Sequence, residues 1–476
     1  MKYSQFIDGG FVDGTGTESF RVRSPSTGEI LGEYPYASPA DVRFAISSAK
    51  RAFSAWKQTS ANQRSIILRN VASEIRGERE ALAKQISLEL GKPFAEAQKE
   101  VDTAAEMFEW AAEEARRLYG RVIPARAAGI VQVAQLEPMG VVGAFAGWNA
   151  PAITPCRKIS GALSAGCTLV LKPSEETAGV ALMIAQAAQR AGVPDGVLNL
   201  VFGNPGEIAD IICTAPDVAM ITFTGGTEVG KSLGAKAAAH MKRATLELGG
   251  HAPVVVWDDV DLDRVVSAAV ATKFRNAGQV CTSPTRFLVH ENVYADFCEK
   301  FAQRANKIVV GDPFEPSTSM GPLKNERRLS AIEALVKNAR DSGAQILAGG
   351  NRKAGEGLFY EPTVIAVMDL SADVCSVEPF GPVALILPVK DAAEAVNEAN
   401  RLPFGLASYV FTNNMQLAYR FSNEIEAGVV CVNDFQASLP ETPFGGYKDS
   451  GLGSEGGIEG AREFVRTKCV RHGGLA

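Results

Sequence analysis

The stretch that decides the fold is TLVLKPSEETAGVALMIAQAAQRAGVPDGVLNLVF, residues 168–202. It begins with an apolar run at 168–171, continues with a helical pattern over 177–191 and ends in a second apolar run at 198–202. Short buried strands that alternate with helices of this length are typical of βαβ units, in which neighbouring strands are parallel. The stretch therefore predicts a parallel sheet that is covered by helices.

The same alternation continues toward the C-terminus. It predicts, in chain order, a helix at 206–213, a strand at 220–223, a helix at 228–240 and a strand at 252–257. A second α/β stretch is predicted over about 258–430. Because a chain of 476 residues is too long for one ordinary core, we expect two or three domains in an α/β fold.

The composition excludes several classes of protein. A formal net charge of −6 argues against nucleic acid or an anionic membrane as a partner. The sequence has no apolar run of about 18 residues and no apolar leader at its N-terminus, so we expect neither a membrane span nor a cleaved segment. The eight cysteines lack C-x-x-C spacing and the four histidines are isolated. We therefore expect no metal, no disulfide framework and a reducing, cytoplasmic location.

Two motifs supply the groups that covalent oxidation of an aldehyde requires. Cys281 lies in Gly-Gln-Val-Cys-Thr at 278–282, and Glu247 opens Glu-Leu-Gly-Gly at 247–250. A thiolate holds the carbonyl carbon, and a carboxylate activates the water that releases the product. A single buried cysteine is more often inert packing, so the hypothesis depends on the pair.

Further motifs follow predicted strands or occupy rigid loops. They are Trp148-Asn149-Ala150-Pro151, Lys172-Pro173-Ser174-Glu175, the glycine-rich stretch GGTEVG at 225–230, Glu378-Pro379-Phe380-Gly381-Pro382 and Pro443-Phe444-Gly445-Gly446. The Asn149 amide can donate to an oxyanion, and a glycine turn at a helix N-terminus admits a pyrophosphate. Taken singly, each motif also fits an ordinary turn or helix start.

The seven motifs in this order resemble the NAD(P)-dependent aldehyde dehydrogenase superfamily over essentially the whole chain. The resemblance implies that Cys281 is the nucleophile, Glu247 the general base and Asn149 the oxyanion donor. The cofactor-binding residues that it implies are Trp148, Lys172, Ser174, Glu175, Gly225, Gly226, Gly230, Leu248, Glu378 and Phe380. We expect NAD rather than NADP, because Glu175 would repel a 2′-phosphate. Glu247 also argues against a CoA-acylating enzyme.

The resemblance also implies a domain organisation. A dinucleotide-binding domain is expected at 1–121 and 139–247, and a catalytic domain at 248–446, each with a mostly parallel sheet. An oligomerisation hairpin at 122–138 is expected to combine with a C-terminal tail at 447–476. The protein is therefore expected to assemble as a dimer or tetramer and to have a small-molecule aldehyde as its other partner.

The substrate is indicated by two arginines. Arg275 precedes Cys281 in the same loop, and Arg157 follows Asn149. This pairing, together with Ser438, resembles the succinate semialdehyde dehydrogenases, in which such residues hold the substrate carboxylate; the arginine fork matches a carboxylate. Two structural arginines bound to main-chain carbonyls would give the same pattern. Other acidic or aromatic aldehydes, for example a phosphonate-bearing one, remain alternatives, as does a non-catalytic protein on this scaffold.

Overall fold

The computed structural model describes residues 4–474. Within them the chain forms 22 strands: β1 Gln5–Ile7, β2 Gly10–Val12, β3 Ser19–Arg23, β4 Ile30–Pro35, β5 Arg121–Ile123, β6 Val131–Pro138, β7 Val141–Phe145, β8 Thr168–Lys172, β9 Leu198–Leu200, β10 Val218–Thr224, β11 Arg243–Glu247, β12 Ala252–Val256, β13 Pro284–His290, β14 Gln345–Ala348, β15 Thr363–Ala366, β16 Val383–Val389, β17 Phe404–Gly405, β18 Ala407–Phe411, β19 Val429–Val432, β20 Tyr447–Lys448, β21 Gly451–Leu452 and β22 Val465–His472.

The same part of the chain forms 14 α-helices: α1 Pro39–Trp56, α2 Ala61–Gly77, α3 Arg79–Leu90, α4 Phe94–Ala115, α5 Ile153–Ala165, α6 Ala178–Arg190, α7 Pro205–Thr214, α8 Thr227–Ala239, α9 Leu262–Phe274, α10 Glu291–Ala305, α11 Glu326–Asp341, α12 Ala392–Asn400, α13 Met415–Glu424 and α14 Gly457–Glu463. Every strand and helix predicted over 168–257 is present, with its ends shifted by at most two residues.

The first large sheet has eight strands in the order β2-β1-β9-β8-β7-β10-β11-β21. Its central strands, from β9 to β11, are parallel, and antiparallel strands occur at both edges. Helices cover both faces: one apolar core lies among α2 to α6, and a second lies under α1, α7 and α8. The predicted mostly parallel sheet is therefore confirmed.

The second large sheet has seven strands in the order β14-β15-β16-β13-β12-β18-β19. All neighbours are parallel except β14 and β15. Its five central strands are buried on both faces within one apolar core, which explains their continuous apolar sequences. The prediction of a second, mostly parallel sheet is confirmed.

A small antiparallel sheet, in the order β22-β6-β5, forms the arm. Strand β22 pairs with β6 along its whole length, from Val465 opposite Pro138 to His472 opposite Val131. The tail predicted at 447–476 does not lie entirely in this arm, because β21 pairs with β11 at the edge of the first sheet.

Local sequence explains several helix ends. Ser38 forms a capping box with Asp41 at the start of α1, and Ser60 caps α2. Helix α3 ends at Gly91, whose φ of +80° is the left-handed conformation that glycine favours. None of the helices in the described part of the chain combines the length and apolar character that a membrane span requires.

Candidate active site

The carboxyl ends of four neighbouring parallel strands bring the motifs together. Strands β8, β7, β10 and β11 are adjacent in the first sheet. Lys172 and Glu247 are the last residues of β8 and β11, and the loops after β7 and β10 carry Asn149 and Gly225. Because parallel strands end at the same edge of a sheet, residues far apart in sequence converge there.

The loop before Cys281 has an unusual backbone. Asn276, Ala277 and Gly278 all have positive φ angles of 49°, 52° and 71°. Glycine is required at 278 because a Cβ there would lie 2.0 Å from the carbonyl oxygen of Gly381. The left-handed turn is costly for non-glycine residues and needs support from its surroundings. It leads to Cys281, which is half-buried just before β13.

Asn149 lies against this loop. Its Nδ2 donates to the carbonyl oxygen of Gln279 at 3.3 Å, and Asn276 Nδ2 donates to the carbonyl oxygen of Asn149 at 2.9 Å. The reciprocal bonds join the segment after β7 to the segment before Cys281. The candidate oxyanion donor and the candidate nucleophile thus belong to one hydrogen-bonded unit.

Glu247 is the last residue of β11 and is only 3% exposed. Both carboxylate oxygens are buried without a hydrogen-bond partner among residues 4–474. Burial raises the pKa of Glu247 well above its ordinary value, and the nearby charge of Glu455 raises it further, whereas Arg157 and Lys158 lower it. A carboxylate with a raised pKa and free oxygens is suited to accept a proton from water.

The Cys281 thiol is also a weak acid in this environment. Burial raises its pKa to about 12, with further increases from Glu247 and Glu378, while Arg157 acts in the opposite direction. The thiol is therefore protonated near neutral pH, and its attack on a carbonyl carbon requires a proton acceptor.

A buried ionic network lies behind Glu247. Lys158 Nζ donates to Glu455 Oε1 at 2.7 Å and to Thr222 Oγ1 at 3.0 Å. The sequence alone did not identify this network, because Lys158 fits a helix surface and Glu455 lies in a glycine-rich tail. Within residues 4–474, no group of three or more His, Cys, Asp or Glu side chains is placed to hold a metal ion.

The end of β8 presents the residues predicted to bind a ribose. Lys172 forms an ion pair with Glu175, and the other carboxylate oxygen of Glu175 accepts from the Gly203 N–H at 3.1 Å. Ser174 Oγ accepts from the Glu176 N–H at 3.2 Å and caps the short 3-10 turn Glu175–Thr177. Lys172 and Glu175 are therefore held side by side, while the hydroxyl of Ser174 supports the turn.

The N-terminus of α8 fits an anionic group. In the described chain no side chain caps this helix, and a Cβ at Gly226 would meet nothing within 4 Å. A Cβ at Gly230 would lie 2.1 Å from Leu248 Cδ2, so this glycine permits the close packing of α8 on the loop after β11. Free N–H groups beside open space are what a pyrophosphate requires.

The loop 378–382 reaches the same region from the second sheet. Glu378 Oε1 accepts from the Gly250 N–H at 3.2 Å, and burial raises the pKa of Glu378 to about 7. Phe380, with a φ of 42°, packs edge-on against Trp148 with ring centroids 5.6 Å apart. Trp148 and Phe380 are thus in contact, and Glu378 is hydrogen-bonded to the loop that follows Glu247.

The predicted substrate residues differ in their surroundings. Arg157 is 8% exposed, its Nη2 donates to Ser438 Oγ at 2.8 Å, and its guanidinium lies 4.9 Å from the centre of the Phe444 ring. Its Nε has no hydrogen-bond partner among the described residues. Arg275 is exposed instead. The structure therefore brings Arg157 and Ser438 into direct contact, whereas Arg275 lies on the Cys281 loop without such burial.

Comparison with known proteins agrees with this geometry. The model of the aldehyde dehydrogenase family matches residues 11–470. The chain belongs to this family. The chain is 39% identical to a succinate-semialdehyde dehydrogenase [NADP(+)] of Escherichia coli, over 99% of this chain and 98% of that protein. It is 42% identical to a 4-(hydroxymethyl)benzenesulfonate dehydrogenase of Comamonas testosteroni, over 98% and 97% of the two chains. The crystal structure of a succinate-semialdehyde dehydrogenase from Burkholderia pseudomallei superposes with a TM-score of 0.97 at 39% identity, covering 99% and 98%.

These findings confirm the predicted family, the aldehyde dehydrogenase fold and the class of enzyme, an NAD(P)-dependent aldehyde dehydrogenase. They do not support the alternative of a non-catalytic protein on this scaffold. The roles of the individual site residues stay predictions, to which the geometry above adds physical support.

Two carboxylates of this aldehyde dehydrogenase were missed by sequence reasoning. Glu100 Oε1 accepts from the Ala152 N–H at 2.9 Å, and Glu96 Oε2 accepts from the Asn276 N–H at 3.1 Å. Both lie on α4 with helical spacing, and Glu100 occupies a buried position in an otherwise apolar face. A charged residue at a position where the helical pattern expects an apolar one was the available signal.

We expect Glu247→Gln to retain a first-turnover burst of NADH while the steady-state rate falls, because only thioester hydrolysis needs this base.

The pH dependence follows from the raised pKa of Glu247. A protonated carboxyl is unable to accept a proton, so kcat of the wild type should rise with pH through that raised pKa. Stopped-flow and steady-state absorbance across pH measure both effects. If Glu247→Gln keeps the acidic limb of the wild-type profile, another group is the base.

Proposed function

We propose that this enzyme oxidises succinate semialdehyde, or a similar carboxylated semialdehyde, to the dicarboxylic acid through a thioester on Cys281. The observation that carries the proposal is Arg157: a buried guanidinium whose Nε has no partner among residues 4–474 and whose charge acts on both Cys281 and Glu247. A buried cation of this kind is unfavourable unless an anion joins it. The carboxylate of the substrate is that anion.

Each residue then has one task. The Cys281 thiol releases its proton to solvent and its sulfur bonds to the aldehyde carbon as the carbonyl π bond opens, while Asn149 Nδ2 donates to the resulting alkoxide oxygen. NAD(P), when bound, would supply the acceptor for the hydride that leaves this carbon as the thioester forms. Glu247 takes a proton from the water that hydrolyses the thioester, which regenerates the Cys281 thiol and releases the acid. The described segments that would hold the cofactor are the C-terminal end of β8, the N-terminus of α8 and the loop 378–382.

A second candidate substrate is an aromatic aldehyde that carries a sulfonate. It is favoured by the same Arg157 guanidinium, because a charge-assisted hydrogen bond to a sulfonate oxygen would pair this buried cation as a carboxylate would. The Comamonas testosteroni relative, whose printed name refers to a benzenesulfonate, is consistent with this alternative. The two candidates share the anion at Arg157 and differ in the aromatic body.

We expect Arg157→Ala and Arg275→Ala each to lower kcat/KM for succinate semialdehyde by about 10–100-fold, because each removes a charge-assisted hydrogen bond. The uncharged aldehyde butanal should be little affected or improved. The test follows the absorbance of NADH or NADPH for the wild type and both variants. The substrates are succinate semialdehyde, butanal and 4-formylbenzenesulfonate.

Three outcomes distinguish the candidates. A wild type that prefers butanal contradicts the anionic substrate. A wild type that prefers 4-formylbenzenesulfonate selects the aromatic alternative. An arginine whose removal lowers activity equally on charged and uncharged aldehydes is structural.

We also infer a preference for NAD over NADP. Glu175 is held by Lys172 and by the Gly203 N–H, so its carboxylate stays at the edge where an adenosine ribose would lie. A 2′-phosphate at that edge meets a negative charge. Lys172 reduces this repulsion, and the Escherichia coli relative is named for NADP(+). The inference therefore requires that the Glu175 carboxylate, rather than the Lys172 amine, faces the ribose.

Replacement of Glu175 by Gln should lower the ratio of kcat/KM for NAD to that for NADP by about tenfold, since one like charge is removed. The exposed Glu207 on α7 is a matched control, and Glu207→Gln should leave the ratio unchanged. Measurement of both cofactors at saturating aldehyde decides the matter. A wild type that prefers NADP would show that Glu175 does not face the ribose.

We infer that the domains follow the two large sheets and the arm, except that β21 of the predicted tail joins the first sheet, and that the protein assembles as a dimer or tetramer in the cytoplasm. Assembly is supported by the open edges of the arm, where β5 and β22 each lack a second neighbour among the described strands. Tyr119 and Val122, beside and within β5, are each 76% exposed. A reducing location is supported by the eight cysteines, all of which are unpaired in residues 4–474.

Light scattering should give a mass of two or four monomers for the wild type, and Val122→Asp should reduce the assembly, because a charge at an apolar edge opposes association. Met368→Asp is the control, since this side chain is 79% exposed and lies outside the arm. A wild type that stays monomeric at micromolar concentration contradicts the inference.

A further inference from the structure

Glu96 lies in the first turn of α4 but does not cap its own helix. An acidic side chain in the first turn commonly stabilises a helix by capping it or by interacting with the helix dipole. No side chain forms a cap hydrogen bond in α4. The Glu96 carboxylate instead reaches across to the Cys281 loop, where Oε2 accepts from the Asn276 N–H at 3.1 Å. Its partner is thus a segment that lies far along the chain.

The N–H that Glu96 accepts belongs to the strained part of that loop. Asn276 is the first of the three residues with positive φ, and its own side chain holds the carbonyl oxygens of Asn149 and Gln279. A left-handed backbone persists only where its surroundings hold it. Loss of the Glu96 bond would therefore loosen Asn149 and Cys281 together.

Glu96 is also close to a candidate substrate residue. The N–H that its carboxylate accepts belongs to the peptide bond that joins Arg275 to Asn276. Burial raises the pKa of Glu96, and the positive charges of Lys92 and Arg275 lower it. Arg275 is exposed and Glu96 is partly exposed. A carboxylate near Arg275 competes with any substrate carboxylate for the same guanidinium.

We propose that Glu96 is a positioning residue that also sets the preference for anionic aldehydes: it holds the turn 275–278 through Asn276 and offsets part of the charge of Arg275. The second half rests on the proposed function, because it assumes that Arg275 receives a substrate carboxylate. The first half depends only on the contacts between Glu96 and the loop.

Two substitutions separate these effects. Glu96→Gln keeps an oxygen that accepts from Asn276 but removes the charge, so KM for succinate semialdehyde should fall about three- to tenfold while KM for butanal stays constant. Glu96→Ala removes the acceptor, so kcat should fall roughly 10–100-fold on both aldehydes, because the reacting groups lose their alignment.

The controls use the same helix and the same arginine. Glu106→Gln removes an exposed charge from α4, and it should leave the ratio of the two KM values unchanged. In an Arg275→Gln background, Glu96→Gln should no longer change that ratio, because the charge it relieves is absent. Thermal unfolding by circular dichroism establishes that each variant is folded; if Glu96→Ala does not fold, the Gln variant and the double-substitution cycle carry the test.

The following results would contradict the proposal. An unchanged KM ratio in folded Glu96→Gln overturns the role in specificity, and a persistent effect of this substitution without Arg275 overturns its route through that arginine. Wild-type kcat in Glu96→Ala overturns the positioning role. If the wild type shows no preference for succinate semialdehyde over butanal, the proposed substrate is wrong, and turnover of butanal by Glu96→Ala alone decides the positioning role.

Discussion

Three carboxylates near the junction of α3 and α4 hold the active-site loops to the helical layer. Glu89 accepts from the Gly179 and Val180 N–H groups at the start of α6, Glu96 from the Asn276 N–H and Glu100 from the Ala152 N–H. A carboxylate removed from water is stable only when donors replace the water. Each bond therefore fixes one loop: the segment after Glu175, the loop before Cys281 and the segment after Asn149.

At the reaction centre, in contrast, a buried carboxylate lacks hydrogen-bond donors. Both oxygens of Glu247 are buried without a partner among residues 4–474, and Glu455 adds a like charge nearby. The same low-polarity surroundings raise the pKa of Cys281 to about 12. Groups left unsatisfied in this way are reactive, because water or a substrate atom can supply what they lack. The hydrogen bonds that hold the surrounding loops offset the free-energy cost of burying Glu247 and Cys281 in this way.

Much of the molecule was predictable from local patterns. The alternation at 168–202 predicted β8, α6 and β9, because strands buried on both faces have continuous apolar sequences. Cys281, Glu247 and Asn149 were predicted from motifs, and the Asn149 side chain does contact the loop before Cys281. The supporting residues Glu96, Glu100, Lys158 and Glu455 were missed, because their partners lie between about 50 and 300 residues away in sequence.

The sequence by itself determined the α/β class, the family and the residue types available for chemistry, since these follow from periodicity and from short motifs. Tertiary structure alone decided which charges are buried and which are exposed: Arg157 lies beneath Ser438 with Nε unpaired in the described chain, whereas Arg275 remains open beside Glu96. The physical reason is that hydration and pairing of a charge depend on neighbours from distant segments, and no local pattern records those neighbours.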